Sequence, residues 1–273
     1  MKLHDIYDWY SQLETVTSKK QSLGTLRIIR CYITRLGNPT ERRLTVQMVV
    51  NDREKRLKTV KPTTVNAELS HLRKMLSEAV LAGLIKSNPL VGIPLLACDN
   101  VRSVDLRPVD ITRLVKHSPE WLGQIILILS HMPCRRSEIT GLQWSEIDFN
   151  IGDNGILRLS PARTKNGKGR AVPLHPKVRE LLSRLPSRFH GGFVFLDQSL
   201  INRSINYQFN KARIAAGLPD TRIHDLRHMA ISEMFRAGIS QAIIMRLSGH
   251  NSESQFHRYH YIHEDELINL KWC

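Results

Sequence analysis

Cysteine is scarce in this chain, and no apolar run is long enough to span a membrane. The four cysteines lie far apart and form no CxxC pair, which excludes a zinc knuckle and a disulfide framework and fits a reducing cytoplasm. The most apolar stretch, residues 121–130, is about half as long as a bilayer requires, so we expect a buried helix there. The amino terminus has charges among its apolar positions and no small-residue cleavage pattern, unlike a signal peptide. We therefore expect a cytoplasmic protein that does not contact a membrane.

Acidic side chains are also few. The chain has 25 Asp and Glu against 40 Lys and Arg, which gives a net charge of +15. The excess is spread along the sequence, with 16 basic and 9 acidic side chains in the first hundred residues and 24 and 16 in the rest. Such a field favours a polyanion, and nucleic acid is the commonest polyanion that a protein meets. On composition alone, a basic surface without a ligand is the alternative.

Helical periodicity predicts a bundle of short amphipathic helices in the first part of the chain. Prolines and glycines interrupt this periodicity between residues 90 and 108. The 273 residues are enough for two domains. We therefore predict a helical domain over residues 1–97, a linker over 98–107 and a second domain over 108–273. The helices predicted in the first domain span residues 3–14, 22–36, 45–57 and 62–83.

The second part of the chain mixes helical and strand patterns, so we predict a mainly α fold with a small β-hairpin or sheet (α+β). Two runs of strand character between residues 155 and 174 flank Asn166-Gly167, a good hairpin signal. A further short apolar strand is predicted over residues 193–196. The predicted helices span residues 108–117, 121–132, 176–185 and 199–216.

The most informative stretch runs from His224 through HDLRH and LSGH to YHY. His224 and Arg227 are three apart in a segment of helical period, so both side chains leave one face and can converge on one anion. His250 follows Gly249, and Tyr259 comes nine residues later. A phenol has an ordinary pKa of ~10, but concentrated positive charge would stabilise its phenolate and the transition state of attack on phosphorus. Tyr259 is therefore a candidate nucleophile.

A zinc site is the main alternative for this stretch, because His224 and His228 have the spacing of a zinc-hydrolase helix. The residue after the first histidine should then be a Glu, whereas Asp225 is one carbon shorter, and Arg227 would place a cation beside the metal. We predict no metal. The spacings of His257, His260 and His263 likewise match no closed metal site.

HDLRHMAISEMFRAGIS, LSGH and Tyr259, in this order and with these gaps, resemble the carboxyl-terminal catalytic region of the tyrosine recombinases, the phage-integrase family of site-specific DNA recombinases. The resemblance covers about residues 60–265 and is strongest over 130–261. In the family the first catalytic Arg lies three residues before a Glu, which matches Arg135 and Glu138 rather than Arg136. The sequence departs from the family in having Pro133 where glycine is usual and YHY where YxH is usual. The second departure leaves Tyr261 as a rival nucleophile.

The resemblance implies strand cleavage and rejoining through a 3′-phosphotyrosine intermediate, without a cofactor. Tyr259 would attack the scissile phosphorus while Lys165, on a β-hairpin, would protonate the departing 5′-oxygen, with Lys168 as the alternative acid. Glu138 would orient an arginine or cap its helix. The two non-bridging oxygens would be surrounded by Arg135, Arg227, His224 and His250.

The resemblance also implies an amino-terminal SAM-like bundle, the core DNA-binding domain, and a catalytic domain that together form a clamp on double-stranded DNA recombination sites. In the family a tetramer forms on DNA, each carboxyl-terminal segment docking on a neighbour, and a DNA-bending or directionality accessory protein can take part. We expect no arm-binding domain before the bundle. The polar face of the helix over 199–216 either reads a major groove or is a solvated surface. The predicted DNA contacts are Arg27, Arg30, Arg42, Arg43, Arg73, Lys74, Arg163, Lys168, Arg170, Arg203 and Asn206.

Two other functions fit the same residues. A type IB topoisomerase uses the same chemistry but relaxes supercoiled DNA as a monomer, without a choice of site. A DNA-binding protein that has lost catalysis would form no covalent adduct. The complete set of candidate residues argues against the second alternative.

Overall fold

The computed structural model describes residues 1–18, 22–98, 106–164, 167–195 and 197–250. The chain divides into two compact units, Met1–Asn100 and Val101–Cys273. No helix within the described ranges combines the length and the apolar character that crossing a membrane demands.

The first unit is helical. Its longest helix, α5, starts at Pro62, where a missing N–H costs no hydrogen bond, and ends just before Gly83, whose φ of 71° suits a helix stop. The apolar stripe of α5 packs with residues of α1 and α3 into one core. Glu68, almost fully buried, accepts hydrogen bonds from Arg35 and Arg56, which compensate its charge. The helices are α1 (Leu3–Gln12), α2 (Glu14–Thr17), α3 (Ser22–Arg35), α4 (Val46–Leu57) and α5 (Pro62–Leu81).

The second unit packs helices around a small antiparallel sheet. The sheet has the order β1-β2-β3, formed by Ile147–Asp148, Ile156–Leu159 and Arg170–Pro173. The apolar helix α7 lies in the core, as its composition predicted. The helices are α6 (Pro108–Lys116), α7 (Glu120–His131), α8 (Arg136–Thr140), α9 (Pro176–Arg184), α10 (Gln198–Ala215), α11 (Asp225–Arg236) and α12 (Gln241–Ser248).

The predicted fold class, mainly helical with one small sheet, is confirmed, but one strand prediction is wrong. Residues 193–195 make a single isolated bridge, from Phe193 to Gln143, and Leu196 lies outside the described residues. Val194 and Phe195 are apolar because they are buried in the core, which a short apolar run cannot distinguish from strand formation. The loop between β2 and β3 is also longer than a tight hairpin turn and contains the 3-10 turn Pro161–Arg163.

Candidate active site

The site forms where α12 ends. Gly249 turns the chain there with a φ of 71°, a left-handed conformation that glycine adopts without a steric cost. The last carbonyls of a helix lack partners within it and carry partial negative charge, so they attract cations. Three consecutive carbonyls at this end each accept a hydrogen bond from a different arginine. The pairs are Arg170 Nε with Leu247 O (2.7 Å), Arg227 Nη2 with Ser248 O (2.8 Å) and Arg135 Nη2 with Gly249 O (2.9 Å).

Arg227 joins this helix end to His250. Arg227 lies in the first turn of α11 and is only 2% exposed. Its Nη2 lies 3.3 Å from His250 Nε2, and His250 Nδ1 lies 2.7 Å from Ser248 Oγ. Because a guanidinium only donates, Nε2 is the acceptor, and we assign the imidazole proton to Nδ1. Burial, followed by the charges of Arg227 and Arg135, lowers the pKa of His250 to about 3. The imidazole is therefore neutral at pH 7.

His224 stands at the amino end of α11. Its backbone carbonyl accepts a hydrogen bond from the N–H of Arg227, and its ring meets that of His228 edge to face at 5.1 Å. Burial lowers the pKa of His224, and the positive charge of Arg227 lowers it further. The helical segment predicted from HDLRH thus brings His224 and Arg227 into one electrostatic environment, with the imidazole neutral.

Glu138 organises the other side of the site. Its Oε2 accepts from the backbone N–H of Arg135 at 2.6 Å, and its Oε1 accepts from Arg135 Nη1 at 3.1 Å. Arg170 donates Nη1 to Oε1 (3.0 Å) and Nη2 to Oε2 (2.6 Å), a bidentate pair. Burial alone would raise the pKa of Glu138, but the hydrogen bonds and charges of Arg170 and Arg135 outweigh it and leave the pKa lowered. Glu138 therefore both caps α8 and fixes Arg135.

Three of the arginines predicted to contact DNA are hydrogen-bonded to acceptors of the protein itself. The Arg170 side chain is 5% exposed and is taken up by Glu138 and Leu247. Arg163 donates Nε to Glu146 Oε1 and Nη2 to the carbonyl of Glu138, both at 3.0 Å. Arg73 is half-buried and donates to the carbonyl of Ile93. As predicted DNA contacts, all three were expected to be exposed, but a long basic side chain can instead fold back onto its own unit, where carbonyls and carboxylates accept its hydrogen bonds.

The remaining described members of the predicted DNA-contact set are exposed. Asn206, on α10, accepts a hydrogen bond of 2.6 Å from Arg136, the arginine that does not match the family motif. Arg203 lies on the same exposed face of α10, and Lys168 lines a cleft of about 350 Å³ beside His250. In the first unit the exposed cations are Arg27, Arg30, Arg42, Arg43 and Lys74.

The predicted acid Lys165, the predicted nucleophile Tyr259 and its rival Tyr261 lie outside the described residues, as do His257, His260 and His263. Among the residues that the structure describes, no three His, Cys, Asp or Glu side chains are grouped so as to hold a metal ion.

Sequence reasoning missed the interior role of Arg170. The signal that could have found it is strand parity, since side chains two residues apart in a strand share a face. Arg170 and Val172 are such a pair in β3, and Val172 is fully buried. The arginine at the start of the strand is thereby directed inward.

Comparison with known proteins identifies the family of the chain. Residues 105–266 match the phage integrase family, and residues 1–96 match the N-terminal domain of phage integrases. The chain therefore belongs to the phage integrase family. It is a site-specific DNA recombinase of the tyrosine type.

Individual relatives agree with this assignment. The chain is 27% identical to the shufflon-specific DNA recombinase of Escherichia coli, over 98% of this chain and 71% of that protein. Its fold is similar to that of a lambda integrase dimer bound to a COC′ core site, with a TM-score of 0.79 and 20% identity over 100% of this chain and 98% of the other. A lambda integrase tetramer bound to a Holliday junction also gives a TM-score of 0.79, with 20% identity over 100% and 79%.

Proposed function

We propose that the chain cleaves and rejoins DNA strands through a 3′-phosphotyrosine link to Tyr259, with Arg135, His224, Arg227 and His250 around the scissile phosphate. The observation that carries this proposal is that Arg135, Arg227 and His250 meet at one end of α12, with His224 close enough for its charge to affect the pKa of His250, although the four residues come from three separate segments of the sequence. Two permanent cations beside two neutral imidazoles suit a phosphate better than a metal, because the imidazoles would have to bind the metal against the field of the arginines.

The proposed chemistry follows from charge. Tyr259 releases its phenolic proton to solvent as its oxygen attacks phosphorus. The attack forms a P–O bond and breaks the bond to the 5′-oxygen, and negative charge builds on the non-bridging oxygens in the transition state. The guanidiniums of Arg135 and Arg227 stabilise that charge as fixed donors. A neutral imidazole has one donor nitrogen, and that of His224 can donate to a phosphate oxygen. In His250 the proton assigned to Nδ1 is donated to Ser248 Oγ, so donation to a phosphate would require the proton to move to Nε2. Lys165 gives a proton to the departing 5′-oxygen.

The reverse reaction completes the strand exchange. The phosphotyrosine link keeps the energy of the broken phosphodiester, so a 5′-hydroxyl of a second duplex can attack it and release Tyr259. The step is balanced without ATP, a metal or another cofactor. Strand exchange of this kind requires two duplexes and therefore several subunits.

The proposed partners are double-stranded DNA recombination sites and further copies of this chain. The excess of positive charge in both halves of the chain supports DNA binding, with residues 1–97 as the core DNA-binding domain, 98–107 as a linker and 108–273 as the catalytic domain. The similar lambda integrase forms a tetramer on a Holliday junction, which supports assembly of this chain into a tetramer on DNA. A DNA-bending or directionality protein would assist, and the reaction would take place in the cytoplasm or nucleoid.

Trapping of covalent adducts tests the proposal. The protein is incubated with genomic DNA of its source, the reaction is stopped with SDS, and the DNA ends joined to protein are sequenced. We expect adducts at a defined sequence with the wild type and with Tyr261→Phe, and none with Tyr259→Phe, which should still retard DNA in a gel.

The other outcomes discriminate between the alternatives. An adduct at the wild-type level in Tyr259→Phe would transfer the nucleophile to Tyr261. Adducts without any preferred sequence, together with relaxation of supercoiled plasmid, would indicate a topoisomerase. DNA binding with no adduct from the wild type would mean that the chain has lost catalysis.

A further inference from the structure

Arg170 is an unusual cation in this site because, although it lines the cleft beside His250, each of its guanidinium nitrogens already has a protein acceptor. It begins β3, and its side chain is 5% exposed. All three of its guanidinium nitrogens donate to protein acceptors within 3.0 Å: Nη1 and Nη2 to the two oxygens of Glu138, and Nε to the carbonyl of Leu247. A phosphate would have to displace these acceptors, one of which is a buried carboxylate.

The two groups that Arg170 joins belong to different parts of the site. Glu138 holds both the backbone N–H and the guanidinium of Arg135. Leu247 belongs to the last turn of α12, next to the carbonyls that Arg227 and Arg135 cap. The planar, rigid guanidinium of Arg170 therefore fixes the distance between Glu138, which holds Arg135, and the end of α12, which precedes His250.

The contact with the turn is close. A Cβ atom at Gly249 would lie 3.3 Å from Arg170 Nη1 and 3.4 Å from Arg135 Nη1. The two guanidiniums thus pack directly against the turn after α12, so a shift of either one would be transmitted to the backbone that precedes His250.

We propose that Arg170 is a positioning residue of the strand-cleavage reaction, which holds the α8 side of the site, through Glu138, in register with the carboxyl end of α12. It does so without touching DNA. The reaction itself rests on the function proposed above, whereas the positioning is a property of the free protein and can be measured separately.

The test uses the full chain with Arg170→Lys and Arg170→Gln. Lysine keeps a charge beside Glu138, so the variant should fold, but a single ammonium cannot reach both carboxylate oxygens and the carbonyl of Leu247. The matched control is Arg179→Lys, since Arg179 also donates to a backbone carbonyl, that of Phe149 at 2.9 Å, in a part of the unit where it has no bond to α12. Thermal melting checks that each variant is folded.

Three measurements are made on each protein. The first two are the rate of covalent cleavage of a duplex bearing the sequence trapped with the wild type and the affinity for that duplex. The third is the titration of His250 in the free protein, followed by NMR with ¹³C-labelled histidine and assigned with His250→Asn. In the wild type His250 should stay neutral down to about pH 5, because its lowered pKa depends on burial and on its arginine neighbours.

The expected result for Arg170→Lys is a cleavage rate lowered at least about tenfold, an affinity for DNA within about threefold of the wild type, and a His250 that begins to titrate above about pH 5. Arg170→Gln should show the same changes more strongly, and Arg179→Lys should show none of them.

Three results would overturn the proposal. They are an unchanged cleavage rate, slow cleavage with the wild-type titration of His250, and a loss of DNA affinity as large as the loss of rate, which would make Arg170 a DNA contact. Should the wild type form no adduct at all, the proposed function fails, and the titration of His250 alone decides whether Arg170 holds the end of α12.

Discussion

At the scale of single residues, the geometry of the site depends on how each arginine divides its N–H donors between two acceptors. Arg135 donates both to Glu138 and to the carbonyl of Gly249, and Arg227 donates to the carbonyl of Ser248 and to His250. These arginines are therefore oriented before a phosphate arrives, which reduces the reorganisation needed in the transition state.

Gly249→Ala tests this arrangement. The φ of 71° is unfavourable for alanine, and the new Cβ would press on the guanidiniums of Arg170 and Arg135. We expect a loss of stability of about 1–2 kcal/mol in urea unfolding, and a fall of at least about tenfold in the cleavage rate. Gly238→Ala is the control, because Gly238 has a φ of 75° and nothing within 4 Å of its Cβ position. Equal cleavage by the two variants would show that only backbone strain matters at Gly249.

At the scale of elements, the sequence predicted most helices because each has a clear start and stop. Pro62 and Gly83 bracket α5, and Thr45 caps α4 by accepting from the N–H of Met48. The strand predicted over 193–196 failed because core burial and strand pairing select the same apolar residues. Strand β1, with only two residues, is too short for any sequence pattern to reveal.

Helix α10 offers a prediction at this scale, since its exposed face carries Arg203 and Asn206. If this face lies in a major groove, Arg203→Ala should weaken binding to every duplex alike and reduce the slope of log affinity against log salt by about one. Asn206→Ala should change the sequence preference by about 1–3 kcal/mol at one position of the site. Competition binding with a library of site variants measures both. Identical behaviour of the two variants would indicate a solvated surface that does not read bases.

At the scale of the whole molecule, the chain consists of two units, each with its own hydrophobic core. The catalytic unit contains several imidazoles that folding keeps neutral. Burial is the largest cause of the lowered pKa in each, and neighbouring positive charge adds to it in His131, His175, His224 and His250.

The lowered pKa values of these histidines predict how the free energy of unfolding depends on pH. A pKa that is lower in the folded state means that the unfolded chain binds more protons, so their contribution is complete above the unfolded pKa of about 6.5 and is lost as the pH falls below it. Urea unfolding at pH 7.5 and 5.5 should show lower stability at the acid pH, by at most about 1.4 kcal/mol per pH unit for each of His131, His175 and His250, and by less for the exposed His224, whose interactions are screened by solvent. His250→Gln should make this dependence less steep. Stability that is constant or rises toward pH 5.5 would contradict the prediction.

The sequence by itself determined the family, the mainly helical fold and the residues worth testing, because these depend on periodicity, charge and motif spacing along the chain. The roles of the site residues proposed from that resemblance stay predictions. The tertiary structure alone decided which basic side chains face outward and which turn inward, as for Arg73, Arg163 and Arg170. The physical reason is that a guanidinium is satisfied equally well by a phosphate or by protein acceptors. Only the folded chain shows which carbonyls and carboxylates lie within reach of each arginine.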